Sequence, residues 1–317
     1  MCASTTTSLR STGGNSTSDE RNMKDFPYVL TLDNASYYFR NFALGTATQY
    51  RGMIYQNTVG LESMIAYLKE TLPNARLNTD QPFRYYMTFD GTGLSFTLPD
   101  GRMSINDTYS MLHESMHAMG IHSQRSEYLW LSEGLCNYFG KLLGFNRQYA
   151  AANIQILSAI AAGAYEEQAQ NGDATAVFYT RIYHAYTEAG GKISTVDELD
   201  LILLNDLWAA LERSVTGYPF VTIGEAYEML DGKAYNAAGM EHTYAGATSL
   251  VCYLVETYGL DTVINAYETQ DIQGTFGKSY EELVSLWMES LPVAAVPLCQ
   301  TAYESAEKTP DIRHFIP

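Results

Sequence analysis

The amino-acid sequence predicts an α+β fold, with a small mixed α/β N-terminal lobe followed by a mainly helical lobe. Three observations predict it. Aromatic and β-branched runs of strand character are confined to the first third of the chain. From about residue 106 onward the pattern turns helical, and several helix starts carry Ser/Thr–x–x–Glu capping boxes. A helix bearing two histidines four residues apart lies at the junction of the two patterns. With 317 residues, 46% of them hydrophobic and 17% charged, the chain can bury a substantial core.

The elements follow in chain order. Residues 1–24 are a polar Ser/Thr/Gly tract expected to be a disordered tail. Residues 25–317 read as one domain, with the mixed lobe over 25–105 and the helical lobe over 106–317. In the mixed lobe, Tyr28–Leu32 and Phe83–Phe89 have strand character. Val59–Thr71 reads as a helix, with Leu61, Ile65 and Leu68 at helical spacing and Pro73 beyond its end. Leu94–Leu98, Pro99-Asp100-Gly101 and Arg102–Ile105 form a hairpin signal. In the helical lobe, capping boxes are expected at Thr195 with Glu198, Thr222 with Glu225, and Ser279 with Glu282.

The net charge of −17 argues against a nucleic-acid partner, whose phosphates it would repel. The chain has 25 tyrosines against 12 phenylalanines, which suggests many half-buried positions where an aromatic ring keeps a polar tip. No uninterrupted apolar stretch is long enough for a transmembrane helix. Cys2 followed by a polar tract resembles the mature start of a bacterial lipoprotein whose signal peptide has been removed. That resemblance implies a lipid anchor at Cys2 and an extracellular or cell-surface location; an ordinary flexible N-terminus fits the same residues. Cys136, Cys252 and Cys299 show no CxxC spacing and no disulfide framework, and Cys136 and Cys252 read as buried free thiols.

His113-Glu114-Ser115-Met116-His117 is an HExxH motif. On a helix the two histidines project about 40° apart, so both imidazoles can reach one zinc ion. Glu114 projects about 60° from His117, close enough to hold a metal-activated water without ligating the metal. With 6 His and 21 Glu in 317 residues, chance alone gives roughly 0.007 such motifs, so coincidence is the weaker explanation. Ile105, Tyr109, Leu112, Met116 and Met119 form an apolar stripe to one side, and Gly120 supplies a helix stop. Such a helix would turn its ligand edge toward a cleft.

A catalytic zinc site needs a third protein ligand and an open position for water. Downstream lies Trp130-Leu131-Ser132-Glu133-Gly134, opening an apolar-aromatic helix on which Glu133 and Asn137 share the narrow polar arc. HExxH followed by WLxEG resembles the gluzincin metallopeptidases, the group containing thermolysin and the aminopeptidase-like catalytic domains. The resemblance implies a zincin-like fold in which the third zinc ligand is Glu133. Fifteen residues separate His117 from Glu133, shorter than in the aminopeptidases, so the connection must be tight. A rival ligand is His122, because His117 to His122 is similar to the metzincin extension HExxHxxGxxH with its last histidine one residue early.

His242–Leu250 and the helix running to Gly259 resemble the downstream part of peptidase-MA-like gluzincin domains, and Phe276–Glu282 fits the same pattern. A donor to the oxyanion is wanted there, with Tyr244 the first candidate and His242 the second. Ala238-Gly239-Met240-Glu241 is superficially like an aminopeptidase amine-recognition motif, but it lies downstream of HExxH, so endo- versus exopeptidase activity stays open. His184 and His314 have no partners by spacing.

Together the residues and the resemblance imply a zinc peptidase acting on a peptide or protein. Zinc would be held by His113, His117 and Glu133, with Glu114 as general base. One rival is a catalytically idle zincin-like surface protein whose helical lobe binds a partner. The other is a surface-anchored binding protein in which the motif is coincidental.

Overall fold

Strand-forming residues of the first lobe assemble into one six-stranded sheet, in the order β1-β2-β3-β4-β6-β5. The strands are β1 (Ser8–Ser11), β2 (Tyr28–Thr31), β3 (Ala35–Phe39), β4 (Phe83–Met87), β5 (Phe96–Thr97) and β6 (Arg102–Ile105). The computed structural model describes residues 8–11, 26–40, 44–88, 95–121, 128–216 and 237–291. Strands β1, β2 and β3 pair antiparallel, β3–β4 and β4–β6 pair parallel, and β5 closes one edge antiparallel to β6. The parallel β3–β4 pair needs a crossover, and α1 (Leu44–Thr71) provides it.

Pairing of β3 with β4 is set by tyrosines. Tyr37 faces Tyr85 and Tyr38 faces Tyr86 in register, and their rings stack with centroids 5.0 and 4.5 Å apart. Each such pair contributes about 0.5–1.5 kcal/mol beyond its buried area. A slip by one residue would exchange the buried and half-buried faces, so the alternation of β3 fixes the register. Leu61, Met64, Ile65 and Leu68 of α1 are buried at helical spacing, and the helix ends just before Pro73.

The second lobe holds α2 (Met111–Met119), α3 (Leu129–Asn137) with a π-helical continuation over Tyr138–Leu142, and α4 (Arg147–Ala161). Then come α5 (Glu166–Gln170), α6 (Ala174–Glu188), α7 (Leu201–Thr216), α8 (Ala237–Tyr258), α9 (Leu260–Thr269), α10 (Ile272–Phe276) and α11 (Tyr280–Ser290). The fold is thus α+β, with a small sheet lobe and a mainly helical remainder. Helix α2 follows β6 directly and touches β4, β5, β6, α1 and α3, which places it at the junction of the lobes. Among the described residues, no helix is long and apolar enough to cross a membrane.

Several local expectations change. Ser8–Ser11, inside the tract read as a disordered tail, pairs with β2; the rest of residues 1–24 lies outside the described residues. The expected Val59–Thr71 helix is the second half of α1, whose earlier turns carry Gly45 and Gly52 that dilute the periodic signal. Helix α2 begins at Met111, so Ile105 belongs to β6 and Tyr109 to the intervening turn rather than to a helical stripe. Thr195 does bond Glu198 through its hydroxyl, but in a turn; α7 begins at Leu201, with Asp200 accepting from the Leu203 amide. The Ser279–Glu282 box caps α11 reciprocally, as expected. Thr222, Glu225, Phe89, Leu94, Cys2 and Cys299 lie outside the described residues.

Candidate metal centre

The histidine helix is not half-exposed: all nine residues of α2 are buried, because the sheet covers one side and α3 with its π turn covers the other. The expected cleft-facing edge is therefore an interior one, with His113 6%, Glu114 4% and His117 7% exposed. Gly120 ends the helix at φ 125°, a conformation that favours glycine, and its amide donates to the His117 carbonyl.

Helix α3 brings Glu133 to the histidines, and glycine makes the approach. A Cβ on Gly134 would stand 2.6 Å from the Ala247 carbonyl oxygen and from Val251 Cγ2 of α8. A Cβ on Gly140 would stand 2.5 Å from the His113 backbone nitrogen. Both contacts are too close for any side chain. The polar arc of α3 then faces inward, with Glu133 6% and Asn137 5% exposed.

Three ligand-type atoms meet. His113 Nε2 lies 3.1 Å from His117 Nε2, and Glu133 Oε2 lies 3.2 Å from the first and 3.4 Å from the second. A tetrahedral zinc with bonds of about 2.0–2.1 Å has ligand–ligand edges of about 3.3–3.4 Å, so this triangle matches one face of such a site. Glu133 Oε2 is buried and has no hydrogen bond of acceptable geometry despite those short separations. A buried carboxylate oxygen without a donor is costly unless a cation faces it. The described residues thus contain a buried His-His-Glu group that could hold a metal ion.

The far sides of both rings confirm the orientation. His113 Nδ1 lies 2.9 Å from Asn137 Oδ1, and His117 Nδ1 lies against the Ile121 carbonyl oxygen. Oxygen acceptors at Nδ1 require Nδ1–H, so in the neutral form of each ring the Nε2 lone pair is directed at the shared point. Cys136 Sγ also touches His117 Nδ1, at 3.3 Å, on the side away from the ligand nitrogen. Burial pushes the Cys136 thiol up to about 11, so it is neutral at ordinary pH.

Burial opposes charge on both His117 and Glu133, yet each is shifted toward its charged form. Cys136 and Glu133 raise His117 well above its ordinary value, and with the thiol neutral it is the carboxylate that carries the charge. The two imidazoles in turn hold the Glu133 carboxyl far below the usual carboxylate range.

Glu114 points elsewhere. The Thr97 hydroxyl, from edge strand β5, lies 2.7 Å from Glu114 Oε2 and 3.0 Å from the Glu114 carbonyl oxygen. This holds a buried carboxylate on the same helix as the two histidines but outside the His-His-Glu group. Tyr244 of α8 stands with its ring edge-on to His113, centroids 6.1 Å apart. His122, His314 and the side chain of His242 lie outside the described residues. His184 is exposed on α6, ring against Tyr183.

Three contributors escaped the sequence reading. Asn137 was visible as the neighbour of Glu133 one turn along, and its service to His113 could have been inferred from that spacing. Thr97 and Thr248 carried no local signal, since both reach the site only through tertiary contacts. Cys136 and Cys252 are buried free thiols, as their apolar surroundings suggested. Comparison with protein-family models, with curated proteins and with solved structures finds no match to this chain.

Proposed function

We propose that this chain is a zinc-dependent peptidase. The observation that carries the reading is Glu133 Oε2, buried without a hydrogen bond and 3.2 and 3.4 Å from the Nε2 atoms of two imidazoles that converge on one point. His113, His117 and Glu133 would hold the ion, and two imidazoles with one carboxylate are a donor set suited to zinc. The nearby thiol of Cys136 contacts the opposite nitrogen of His117, which argues against it as a fourth ligand; three protein ligands would leave a position for water, as a catalytic zinc requires. The similarity of HExxH and WLxEG to the gluzincins supports the same assignment.

When bound, zinc would supply Lewis acidity that acidifies a water molecule and polarises a substrate carbonyl. The chain's own groups do the rest. Thr97 holds Glu114 through Oε2, which leaves the other carboxylate oxygen to take a proton from the attacking water and pass it to the leaving amine. Tyr244, beside His113, is the candidate donor to the oxyanion. Removal of bulk water by the buried surroundings strengthens each of these contacts.

Metal analysis of the purified chain and assay of Glu114→Gln against a mixed peptide library test the reading. Glu114→Gln should retain zinc and lose activity by about 10²–10⁴-fold. A wild-type chain without zinc would refute the metal assignment. Zinc without hydrolysis would point to the idle scaffold, and undiminished hydrolysis by Glu114→Gln would overturn the mechanism.

A further inference from the structure

A chain of hydrogen bonds runs outward from His113 to a helix far along the sequence. His113 Nδ1 meets Asn137 Oδ1 at 2.9 Å, Asn137 Nδ2 meets Thr248 Oγ1 at 3.1 Å, and Thr248 Oγ1 meets the Tyr244 carbonyl oxygen at 2.6 Å. Asn137 and Thr248 are 111 residues apart, and His113, Asn137 and Thr248 are all buried. Water is therefore not a ready substitute for any partner in the chain.

The direction of this chain is settled at its outer end. A backbone carbonyl only accepts, so the single hydroxyl proton of Thr248 is committed to Tyr244. Toward Asn137 the Thr248 oxygen then offers only lone pairs, and the Asn137 NH₂ must face it. That leaves Oδ1 facing His113, so His113 carries its proton on Nδ1 and keeps the Nε2 lone pair for the ligand triangle. Turning the amide over would set two acceptors against each other at Thr248. It would also move the His113 proton onto Nε2, where no metal could bind.

We propose that Thr248 is a positioning residue for the metal centre: through Asn137 it holds His113 in the tautomer able to ligate. Asparagine needs this help because its two ends are nearly alike in shape, whereas a carboxylate accepts at both. The helix that carries Thr248 also places Tyr244 against the His113 ring. So α8 orients the first ligand by two routes. The inference rests on the proposed metal site for its purpose, but the tautomer itself is a property of the metal-free protein.

The test uses the full chain with histidine ¹⁵N labelling, reading the His113 tautomer by NMR in the metal-free protein under basic conditions. Zinc affinity is measured in parallel by chelator competition. Wild type should show the Nδ1–H form alone, and Thr248→Val should show a mixture and bind zinc about 10–100-fold more weakly. Thr248→Ser should restore both readouts. In an Asn137→Asp background the loss caused by Thr248→Val should shrink to below about threefold, because a carboxylate has no wrong orientation. An unchanged tautomer in Thr248→Val, or an equal loss in the Asn137→Asp background, would overturn the proposal. If wild type bound no zinc, the metal reading would fail while the tautomer measurement still judged Thr248.

Discussion

Replacing Gly140 with alanine should damage fold and metal centre together, by amounts that the contact geometry allows us to estimate. The added Cβ would sit 2.5 Å from the His113 nitrogen, 2.6 Å from its Cα and 2.9 Å from the Leu112 carbonyl carbon. All three are backbone atoms, so no side-chain rotation relieves the clash. Ordinary contact begins at 3.4 Å, so α2 and the π turn must separate by about 0.9 Å. The turn cannot simply swing away, since Asn146 Nδ2 donates to the Gly140 carbonyl and to that of Tyr109. His113 moves with α2 while Glu133 stays with α3, and their 3.2 Å separation would open toward about 4 Å. Overpacking of this kind costs about 1–3 kcal/mol, of which better helix propensity returns less than about 1. The expectation is a melting temperature lower by about 2–6 °C and zinc affinity weaker by about 10–100-fold. Differential scanning fluorimetry and chelator competition measure the two effects. Gly52→Ala is the control: nothing lies within 4 Å of its Cβ, and it should leave zinc affinity unchanged. Gly140→Ala with wild-type zinc affinity would refute the claim that helix contact at this glycine sets the ligand geometry.

Two further outcomes concern pH. Burial lifts the Asp206 carboxyl to about 6, although Ser249 donates to it at 2.6 Å and Trp287 donates to Ser249 in turn. A folded pKa above the ordinary 3.8 favours folding while the group is protonated; that contribution is full below 3.8 and is lost as pH rises through about 6. Asp206→Asn should therefore gain about 2–3 kcal/mol relative to wild type between acid and mildly basic denaturation curves, and a constant difference across pH would contradict this. At the metal centre, burial opposes a proton on His117, but Cys136 and Glu133 outweigh it. A metal must displace that proton, so zinc affinity should climb by about tenfold per pH unit below the raised pKa and level off above it. A flat profile across the neutral range would show that His117 holds no competing proton.

How much of this was legible beforehand depends on the range over which each feature is determined. HExxH and the Glu133–Asn137 arc are single-helix patterns, and helical spacing alone puts their side chains on shared faces. The strand signals at Tyr28 and Phe83 survive for the same reason: aromatic and β-branched runs are local. The first half of α1 was hidden because Gly45 and Gly52 dilute its helical pattern. Strand β3 is only five residues and depends on β4, its neighbour across a 28-residue helix, for its place in the sheet. Burial of α2 on all sides was equally unreadable. Its polar residues predicted an exposed edge, and only the sheet, α1 and α3 with its π turn together explain why none exists.

The two helices that carry the His-His-Glu group are joined by a short connection and pack closely. Fifteen residues separate His117 from Glu133, and a carboxylate side chain reaches only a few ångströms. Helices in ordinary contact lie about 8–10 Å apart, with the spacing set by the side chains between them. Here the gap is closed from the other end of α3: its π continuation brings Gly140 onto the His113 backbone. Gly134, immediately after the ligand, lets α8 press against the outer side of α3. The glycine in the WLxEG segment thus belongs to helix packing rather than to coordination. With both helices drawn together, Glu133 meets the imidazoles from one turn away from Asn137, and a single stretch of α3 supplies both a member of the His-His-Glu group and a hydrogen-bond partner of His113. A helix bearing side chains at 134 and 140 could present the same glutamate and still fail to close the triangle.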